Sequence, residues 1–219
     1  MWSGRFRQPL DPRFEQWQRS FPFDRRLLTF ELAASRAHAL ALRAAGVLSA
    51  DEQKLVLSGI DEIGRIAGSH PKFLDDNEAE DVHHFVEKQL VALIGETGKK
   101  LHSGRSRNEQ IATDLRLFVR EEIEQLRSLL GGFLQTLLDR AEQNATAVMP
   151  AYTHLQRAEP VLVSHWLLAY FQMFWRDAER LLDCRKRLNE CPLGSGAIAG
   201  APLPLDRNIA SRELGFDAP

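Results

Sequence analysis

The chain has 219 residues and a formal net charge of −2, from 28 Lys and Arg against 30 Asp and Glu. Its 44% hydrophobic and 26% charged residues are typical of a globular protein and exclude a wholly disordered or collagen-like chain. The charge balance also argues against nucleic-acid binding through a basic field, and no stretch reaches the ~18 uninterrupted apolar residues of a membrane span.

Cysteine content and the first residues indicate the cellular compartment. Cys184 and Cys191 are too few for a disulfide framework and lack the paired spacing of a zinc site. Residues 1–14 contain no long apolar run, so we expect no secretory signal peptide. These features favour reduced thiols in a cytoplasmic protein.

The first half of the chain shows the hydrophobic spacing of amphipathic helices. Apolar residues at helical intervals predict one helix over 24–45 and another over 78–94. Between them, Ser49 and Glu52 have the spacing of a capping box, which predicts a helix that begins there and ends near residue 67.

The second half contains two much longer stretches with the hydrophobic spacing of amphipathic helices. Residues 106–147 predict a helix of roughly 60 Å, and Pro160 is well placed to begin a second helix over 160–188. A short helix is expected over 206–214, and no run of alternating strand residues appears. We therefore predict an all-α protein with a small N-terminal helical domain over 1–106 and, over 107–219, the incomplete start of a central bundle of long helices.

A basic segment precedes the longest helix. Arg105, Arg107 and Asn108 lie where free N–H groups and the helix dipole favour anions, and guanidinium groups bind carboxylates with two hydrogen bonds. These residues predict an anion-binding site. The alternative is a solvated turn capped by Ser106.

A second polar segment, residues 149–157, is predicted to form the turn between the two long helices. His154 could act there as a general acid or base near neutral pH, with Thr153 and Gln156 as neighbouring donors. A lone histidine is otherwise more often structural.

Two further patterns give weaker signals. The glycine-rich residues 192–200 permit close backbone approach, but no Gly-Lys-Ser/Thr follows as in a phosphate-binding loop. His83 and Glu87 lie one helical turn apart without a third ligand at helical spacing, so we expect an intrahelical pair and no metal.

The polar segments together resemble the argininosuccinate lyase family of the aspartase/fumarase superfamily, essentially from end to end. The resemblance rests on motifs that occur in the family's order: Trp2-Ser3-Gly4-Arg5-Phe6, 20–27, Glu80-Asp81-Val82-His83, 101–113, 149–160 and 192–200. Some positions depart from the usual residue: Ser3, Ser103, Glu109, Ala151 and Ala201-Pro202.

The resemblance implies a carbon–nitrogen lyase of arginine biosynthesis, which splits argininosuccinate into fumarate and arginine without a metal or organic cofactor. By position, it implies that His154 is catalytic and that Arg107 holds a substrate carboxylate. It further implies substrate binding by Ser20, Asn108 and Thr153, with Asp81 near the site.

The resemblance also implies a homotetramer in which each active site gathers segments from three subunits. Pro219 falls at roughly half the family's length, and the flexible loop with the catalytic serine belongs to the missing half. The isolated chain is therefore expected to be inactive or nearly so.

Two alternatives remain at this point. One is a non-enzymatic structural protein on the same scaffold, as in the δ-crystallins, although such a protein has no physical need for Arg107, Asn108, Thr153 and His154. The other is a different superfamily enzyme, such as adenylosuccinate lyase or fumarase. The residue types and their order at 104–108 and 153–157 favour the argininosuccinate lyase family.

Overall fold

The computed structural model describes residue 8 and residues 10–76 and 78–219. The motif Trp2–Phe6 therefore lies outside the described residues. Within them the α-helices are α1 (Pro12–Gln18), α2 (Phe21–Asp24), α3 (Leu28–Ala44), α4 (Ala50–Ser69), α5 (Val82–Ile94), α6 (Glu96–Lys99), α7 (Arg107–Gln143), α8 (Val163–Leu188) and α9 (Arg207–Glu213). Short 3₁₀ turns occur at Arg25–Leu27, Pro71–Leu74 and Lys100–His102. The predicted all-α class is confirmed.

Helix starts follow their capping residues. The predicted capping box of α4 is present, because the Ser49 hydroxyl accepts from the Glu52 N–H while the Glu52 carboxylate accepts from the Ser49 N–H. α5 begins at Val82, four residues later than predicted, because the Asp81 side chain caps it by accepting from the His84 N–H. The side chain of Asp206 caps α9 in a similar way.

The expectation that no strand would occur was wrong. β1 (Val148–Thr153) and β2 (Gln156–Leu162) form an antiparallel hairpin, with Val148 opposite Leu162 and Thr153 opposite Gln156. Its two turn residues, His154 and Leu155, both have positive φ, of 51° and 62°. Positive φ at both central positions is the requirement of the tight turns that suit the twist of a hairpin.

The hairpin also corrects the limits of the long helices. Pro160 does not begin a helix; it pairs with Pro150 inside the hairpin, and α8 begins at Val163. α7 ends at Gln143 and has 37 residues, so it is shorter than the helix predicted over 106–147.

The chain divides into two compact units. The larger unit comprises Met1–Phe118 and Glu190–Pro219, and the long-helix unit comprises Val119–Asn189. These limits follow from which residues lie close together in space. They do not test the predicted domain boundary between residues 106 and 107, which stays a prediction.

The larger unit contains two hydrophobic cores. One is built by α3, α4 and α5 around side chains such as Leu42, Ile63 and Phe85. The other joins α3 to the C-terminal segment through Ala34, Leu193, Leu214 and their neighbours. The C-terminal segment therefore packs with the first helices, in the region where α7 begins.

The long-helix unit contains most of α7, the hairpin and α8. Phe133 of α7 and Phe174 of α8 make an edge-to-face contact with ring centroids 5.0 Å apart, and Glu124 pairs with Arg185 at 2.7 Å. Among the described residues, none of the helices combines the length and apolar character needed to cross a membrane.

Candidate functional site

A cavity of about 370 Å³ opens in the larger unit between the start of α2, the start of α5 and one face of α7. Its polar lining includes Ser20, Asp24, Asp81 and His83. The apolar wall is formed by Phe23, Leu27, Ile111, Leu115 and Phe118. A cavity with a few convergent polar groups on an apolar wall is the usual form of a small-molecule site.

Hydrogen bonds hold the polar side of this cavity. The backbone N–H groups of Ser20 and Phe21 both donate to the Glu80 carbonyl, so the starts of α2 and α5 are tied together. The Ser20 hydroxyl donates to Asp24 at 2.5 Å, and the Val82 N–H donates to the other Asp24 oxygen at 3.1 Å. Burial raises the pKa of Asp24 although the hydrogen bond from Ser20 opposes this effect, and the charge of Asp81 adds to the increase.

Arg107 lies against the same wall. Its Nε is 3.3 Å from a carboxylate oxygen of Asp81, and the two side chains are only 14% and 13% exposed. The Nε and Nη1 atoms of Arg107 are buried, and within the described part of the chain they donate no hydrogen bond, although Nε faces the Asp81 carboxylate. Buried donors are normally paired, so Nη1 of this guanidinium can still donate to an anion beside Asp81.

The start of α7 places Asn108 next to Arg107. Asn108 is exposed, and its backbone N–H donates to the Ser106 hydroxyl at 3.3 Å, so Ser106 caps the helix as the alternative interpretation required. The cap does not exclude anion binding, because the side chains of Arg107 and Asn108 are not used by it.

A buried charged cluster lies behind the cavity. His83 Nδ1 is 2.8 Å from Glu31 and 3.6 Å from Asp114, and Arg105 Nη1 is 3.8 Å from the second oxygen of Glu31. Ser35 also donates to Glu31, at 2.6 Å. His83 therefore joins the buried carboxylates to the cavity that it lines.

The two carboxylates of this cluster respond to burial in opposite ways. Burial and then the charge of Glu31 raise the pKa of Asp114, whose two oxygens accept no hydrogen bond from the residues that the structure describes. Burial alone would also raise the pKa of Glu31, but the hydrogen bond from His83 and the charge of Arg105 outweigh it, so the pKa of Glu31 is lowered. The cluster thus holds one firmly ionised carboxylate and one that favours its neutral form.

Three of these groups have the donor types of a metal site. One ligand atom from each of Glu31, His83 and Asp114 lies within 4.8 Å of the others. The Arg105 guanidinium already supplies a positive charge beside Glu31, and this makes the cluster an ion-pair network on its own.

The predicted pair between His83 and Glu87 was wrong. His83 is buried and turns to Glu31, whereas Glu87 lies 3.5 Å from His102. A one-turn spacing only makes such a pair possible, and the buried partner on α3 gives His83 a stronger contact.

Thr153 and His154 lie at the tip of the hairpin, and both are exposed. They belong to the long-helix unit, whereas Ser20, Asp81, Arg107 and Asn108 belong to the larger unit. The structure brings Ser20, Asp81 and Arg107 to one region of the larger unit. The assembly of that region with His154 stays a prediction.

Sequence reasoning missed Glu31, Asp114 and Glu109 as buried polar groups. A signal for Glu31 was available, because it stands among Leu27, Leu28 and Leu32 within the apolar pattern of α3. Glu109 follows Ser106 by three residues, which is the same capping-box spacing that identified Ser49 and Glu52.

The mostly helical scaffold carries a cavity lined by Ser20, Asp24 and Asp81, and a comparison with known families defines the class of the protein. A family profile described as lyase matches residues 4–218, so the chain belongs to this lyase family. Its curated relatives include argininosuccinate lyases from Acidobacterium capsulatum, 62% identical, and Koribacter versatilis, 59% identical, each matched over 100% of this chain. The resemblance seen in the sequence motifs is thereby confirmed.

A solved structure gives the same result for the fold. A variant of EDDS lyase with bound fumarate superimposes with a TM-score of 0.79 at 27% identity, over 97% of this chain and 42% of that chain. The chain spans about half the length of the curated relatives it matches, 46% and 47% in the two named above.

Proposed function

We propose that this chain is the N-terminal half of an argininosuccinate lyase, which eliminates arginine from argininosuccinate and leaves fumarate. The observation that carries the proposal is the buried Arg107 guanidinium beside a cavity lined by Ser20 and Asp81. Its Nε faces Asp81, and its Nη1 donates to no acceptor among the described residues. The names of the relatives supply the substrate, and the fumarate bound to the EDDS lyase variant is consistent with a dicarboxylate ligand for proteins of this fold.

The proposed reaction needs a site that stabilises added negative charge on a carboxylate. A base removes the proton from the carbon next to that carboxylate, and the electron pair spreads onto its oxygens. The pair then forms the carbon–carbon double bond as the carbon–nitrogen bond breaks, and the leaving guanidino nitrogen takes a proton. Fixed donors that meet the carboxylate where charge develops lower the barrier.

Different residues of this chain take part in different steps of the reaction. Arg107 pairs with the substrate carboxylate, and the dipole of α7 adds positive potential at the helix start. Ser20, Asn108 and Thr153 contact the substrate. His154 transfers a proton, and its side chain at an exposed hairpin tip can reach a substrate held by another part of the assembly.

The rest of the site is proposed to come from outside this chain. We propose that the complete protein is a homotetramer, that its active site combines residues of several subunits, and that the segment following residue 219 supplies the catalytic serine. The reaction as proposed uses no cofactor, and the cytoplasmic location stays a prediction.

The test is a chimera of this chain with the part of the Acidobacterium capsulatum relative that follows the matched region. We expect the chimera to release fumarate and arginine in equal amounts from argininosuccinate, while the 219-residue chain alone releases neither. Arg107→Gln in the chimera should lower kcat/KM about 10²-fold to 10³-fold, the usual cost of removing a donor that stabilises developing charge.

The controls separate this proposal from the alternatives. Arg116→Gln, on the same helix, should leave kcat/KM within about twofold, because Arg116 bonds to the Glu190 carbonyl and does not line the cavity. A chimera that folds but cleaves only adenylosuccinate would assign a different lyase. A folded chimera inactive on both substrates, while the intact relative is active, would favour a structural homologue.

A further inference from the structure

One carboxylate joins two of the segments that the sequence analysis treated separately. Glu109, on the first turn of α7, is only 3% exposed. Its Oε1 accepts from the Ser106 N–H at 3.0 Å, and its Oε2 accepts from the backbone N–H of Gly196 and from the Ser195 hydroxyl at 3.3 Å. Three neutral donors thus surround a buried carboxylate, which is the condition for keeping its charge out of water.

The glycine-rich segment has a second attachment to the start of α7. A Cβ on Gly104 would lie 3.0 Å from the Leu203 side chain and 3.2 Å from that of Leu205, so both leucines pack closely against residue 104. Residues 195–196 are bound to Glu109, and residues 203–205 are bound to the turn before α7. The segment between these two points is therefore anchored at both ends.

The residues between the anchors are exposed and tightly folded. A Cβ on Gly196 would lie 2.6 Å from the backbone nitrogen of Ala201, which excludes any larger residue there. Residues 197–200 are exposed, and Ile198 has a φ of 64°, a conformation that costs a β-branched residue about 1–2 kcal/mol. Such a conformation persists only when the surrounding contacts impose it.

We propose that Glu109 is a positioning residue of the active site, which fixes the segment 194–200 (the glycine loop) against the helix start that carries Arg107 and Asn108. The inference rests on the proposed function, because it needs a substrate held at that helix start. Glu109 itself uses both oxygens within the protein and does not touch the substrate. Its effect is exerted through the backbone of Gly196 and the first turn of α7.

The connection explains why a buried charge stands at this position. The backbone of Arg107 and Asn108 begins directly after Ser106, whose N–H is one of the three donors to Glu109. A displacement of groups that bind the substrate weakens binding in the ground state and the transition state alike, which raises KM and changes kcat little. Loss of the carboxylate would release the glycine loop and the first turn together.

The first experiment needs no activity and uses the 219-residue chain. Hydrogen exchange of the Gly196 and Ser106 amides is compared between the native chain, Glu109→Gln and Glu109→Ala. Glutamine keeps the length of the side chain but loses one acceptor oxygen. We expect exchange at Gly196 to accelerate at least tenfold in both variants, while the amides of α4 exchange at the native rate.

The second experiment measures kinetics in the chimera described above. Glu109→Gln should raise KM for argininosuccinate about tenfold with kcat within threefold, and Glu109→Asp should recover part of that loss because it keeps the charge. Ser195→Ala removes one donor of the three and should give a smaller increase in KM. Glu121→Gln, an exposed carboxylate on the same helix, is the matched control and should leave KM unchanged.

The outcomes separate this inference from the proposed function. Native exchange at Gly196 in Glu109→Gln, or the same KM in Glu109→Gln and Glu121→Gln, would overturn the positioning role. If Glu109→Ala fails to fold, Ser195→Ala still decides, because a native KM there contradicts the proposal. A chimera without lyase activity but with faster Gly196 exchange in the variants refutes the function and retains the anchoring of the loop.

Discussion

His38 illustrates how a buried histidine can hold a neighbouring segment while remaining uncharged. Its Nε2 lies 2.9 Å from the Ser103 carbonyl, in the basic segment that precedes α7, and the side chain is buried on α3. Because a carbonyl only accepts, this nitrogen must carry the proton and donate. Burial, with help from the charge of Arg105, lowers the pKa of His38 to about 3.

This histidine predicts a dependence of stability on pH. The unfolded chain binds a proton at His38 below about 6.5, whereas the folded chain does so only near pH 3, so acid favours unfolding between these values. The free energy of unfolding should fall by about 1.4 kcal/mol for each pH unit in that window. Full stability from this group is present above pH 6.5.

The variant His38→Gln isolates that contribution, since its amide can still donate to Ser103 but does not titrate. Relative to the native chain, it should gain about 2 kcal/mol of stability between about pH 7.5 and pH 5. Urea unfolding at a series of pH values measures the difference. His165→Gln, an exposed histidine on α8, is the control, and equal slopes in all three proteins would contradict the assignment.

The turn of the hairpin has a backbone conformation that its residue types disfavour. Leu155 is 98% exposed and has a φ of 62°, so it gains no packing in return for a left-handed conformation. That conformation costs an ordinary L-residue about 1–2 kcal/mol, and asparagine much less. A strained turn that is kept at a tip carrying Thr153 and His154 agrees with a functional role for the tip.

Replacement of this residue should change the stability of the hairpin in a predictable direction. Leu155→Asn should stabilise the hairpin by about 0.5–1 kcal/mol, and Leu155→Val should destabilise it by a similar amount because valine is β-branched. Hydrogen exchange at Tyr152 and Arg157, which are paired in the ladder, reports the opening of the hairpin. Equal exchange rates in the two variants would show that the turn is not strained.

The sequence predicted helices better than it predicted this hairpin, for reasons that lie in particular residues. Ser49 and Glu52 carry a local signal that needs no tertiary context, and α4 begins where they place it. The hairpin has His-Leu at its turn in place of Asn-Gly, and prolines at paired positions 150 and 160 that cannot donate to a ladder. Its strands thus lack the usual features of a hairpin.

The same difference applies to the candidate site: some of its residues can be predicted from local sequence, and others only from tertiary contacts. The motif around Arg107 could be recognised from its residue types and its place before a long helix. The buried pairing of His83 with Glu31 and Asp114 could not, because it joins three helices far apart in the sequence. Only the folded chain shows which polar residue of an apolar helix finds a partner.

At the scale of the whole molecule, α8 stands out because it contributes no buried side chain to a hydrophobic core. None of its 26 residues is buried in the single chain. Trp166, Tyr170 and Met173 recur at helical spacing and are 40–50% exposed, and they form an apolar stripe along one face. Exposed apolar surface of this kind marks a contact with another chain or segment.

This stripe predicts self-association of the chain, with α8 in the contact. Met173→Glu places a charge in the stripe and should raise the dissociation constant at least tenfold, because burying one methionine is worth about 1.5–3 kcal/mol and burying a charge is costly. Gln172→Glu adds the same charge on another face of the helix, beside Leu168 and Trp175, and should raise the dissociation constant less than Met173→Glu does. Light scattering after size-exclusion chromatography measures both.

The comparison of these two variants also bears on the proposed active site. If the native chain and Gln172→Glu associate while Met173→Glu is monomeric, α8 faces another subunit, and the hairpin that precedes it is carried toward that subunit's surface. His154 could then serve a site built partly by another copy, as the proposed function requires. A monomeric native chain would contradict the predicted self-association through α8 and would leave the proposed role of His154 in another subunit's site without this support.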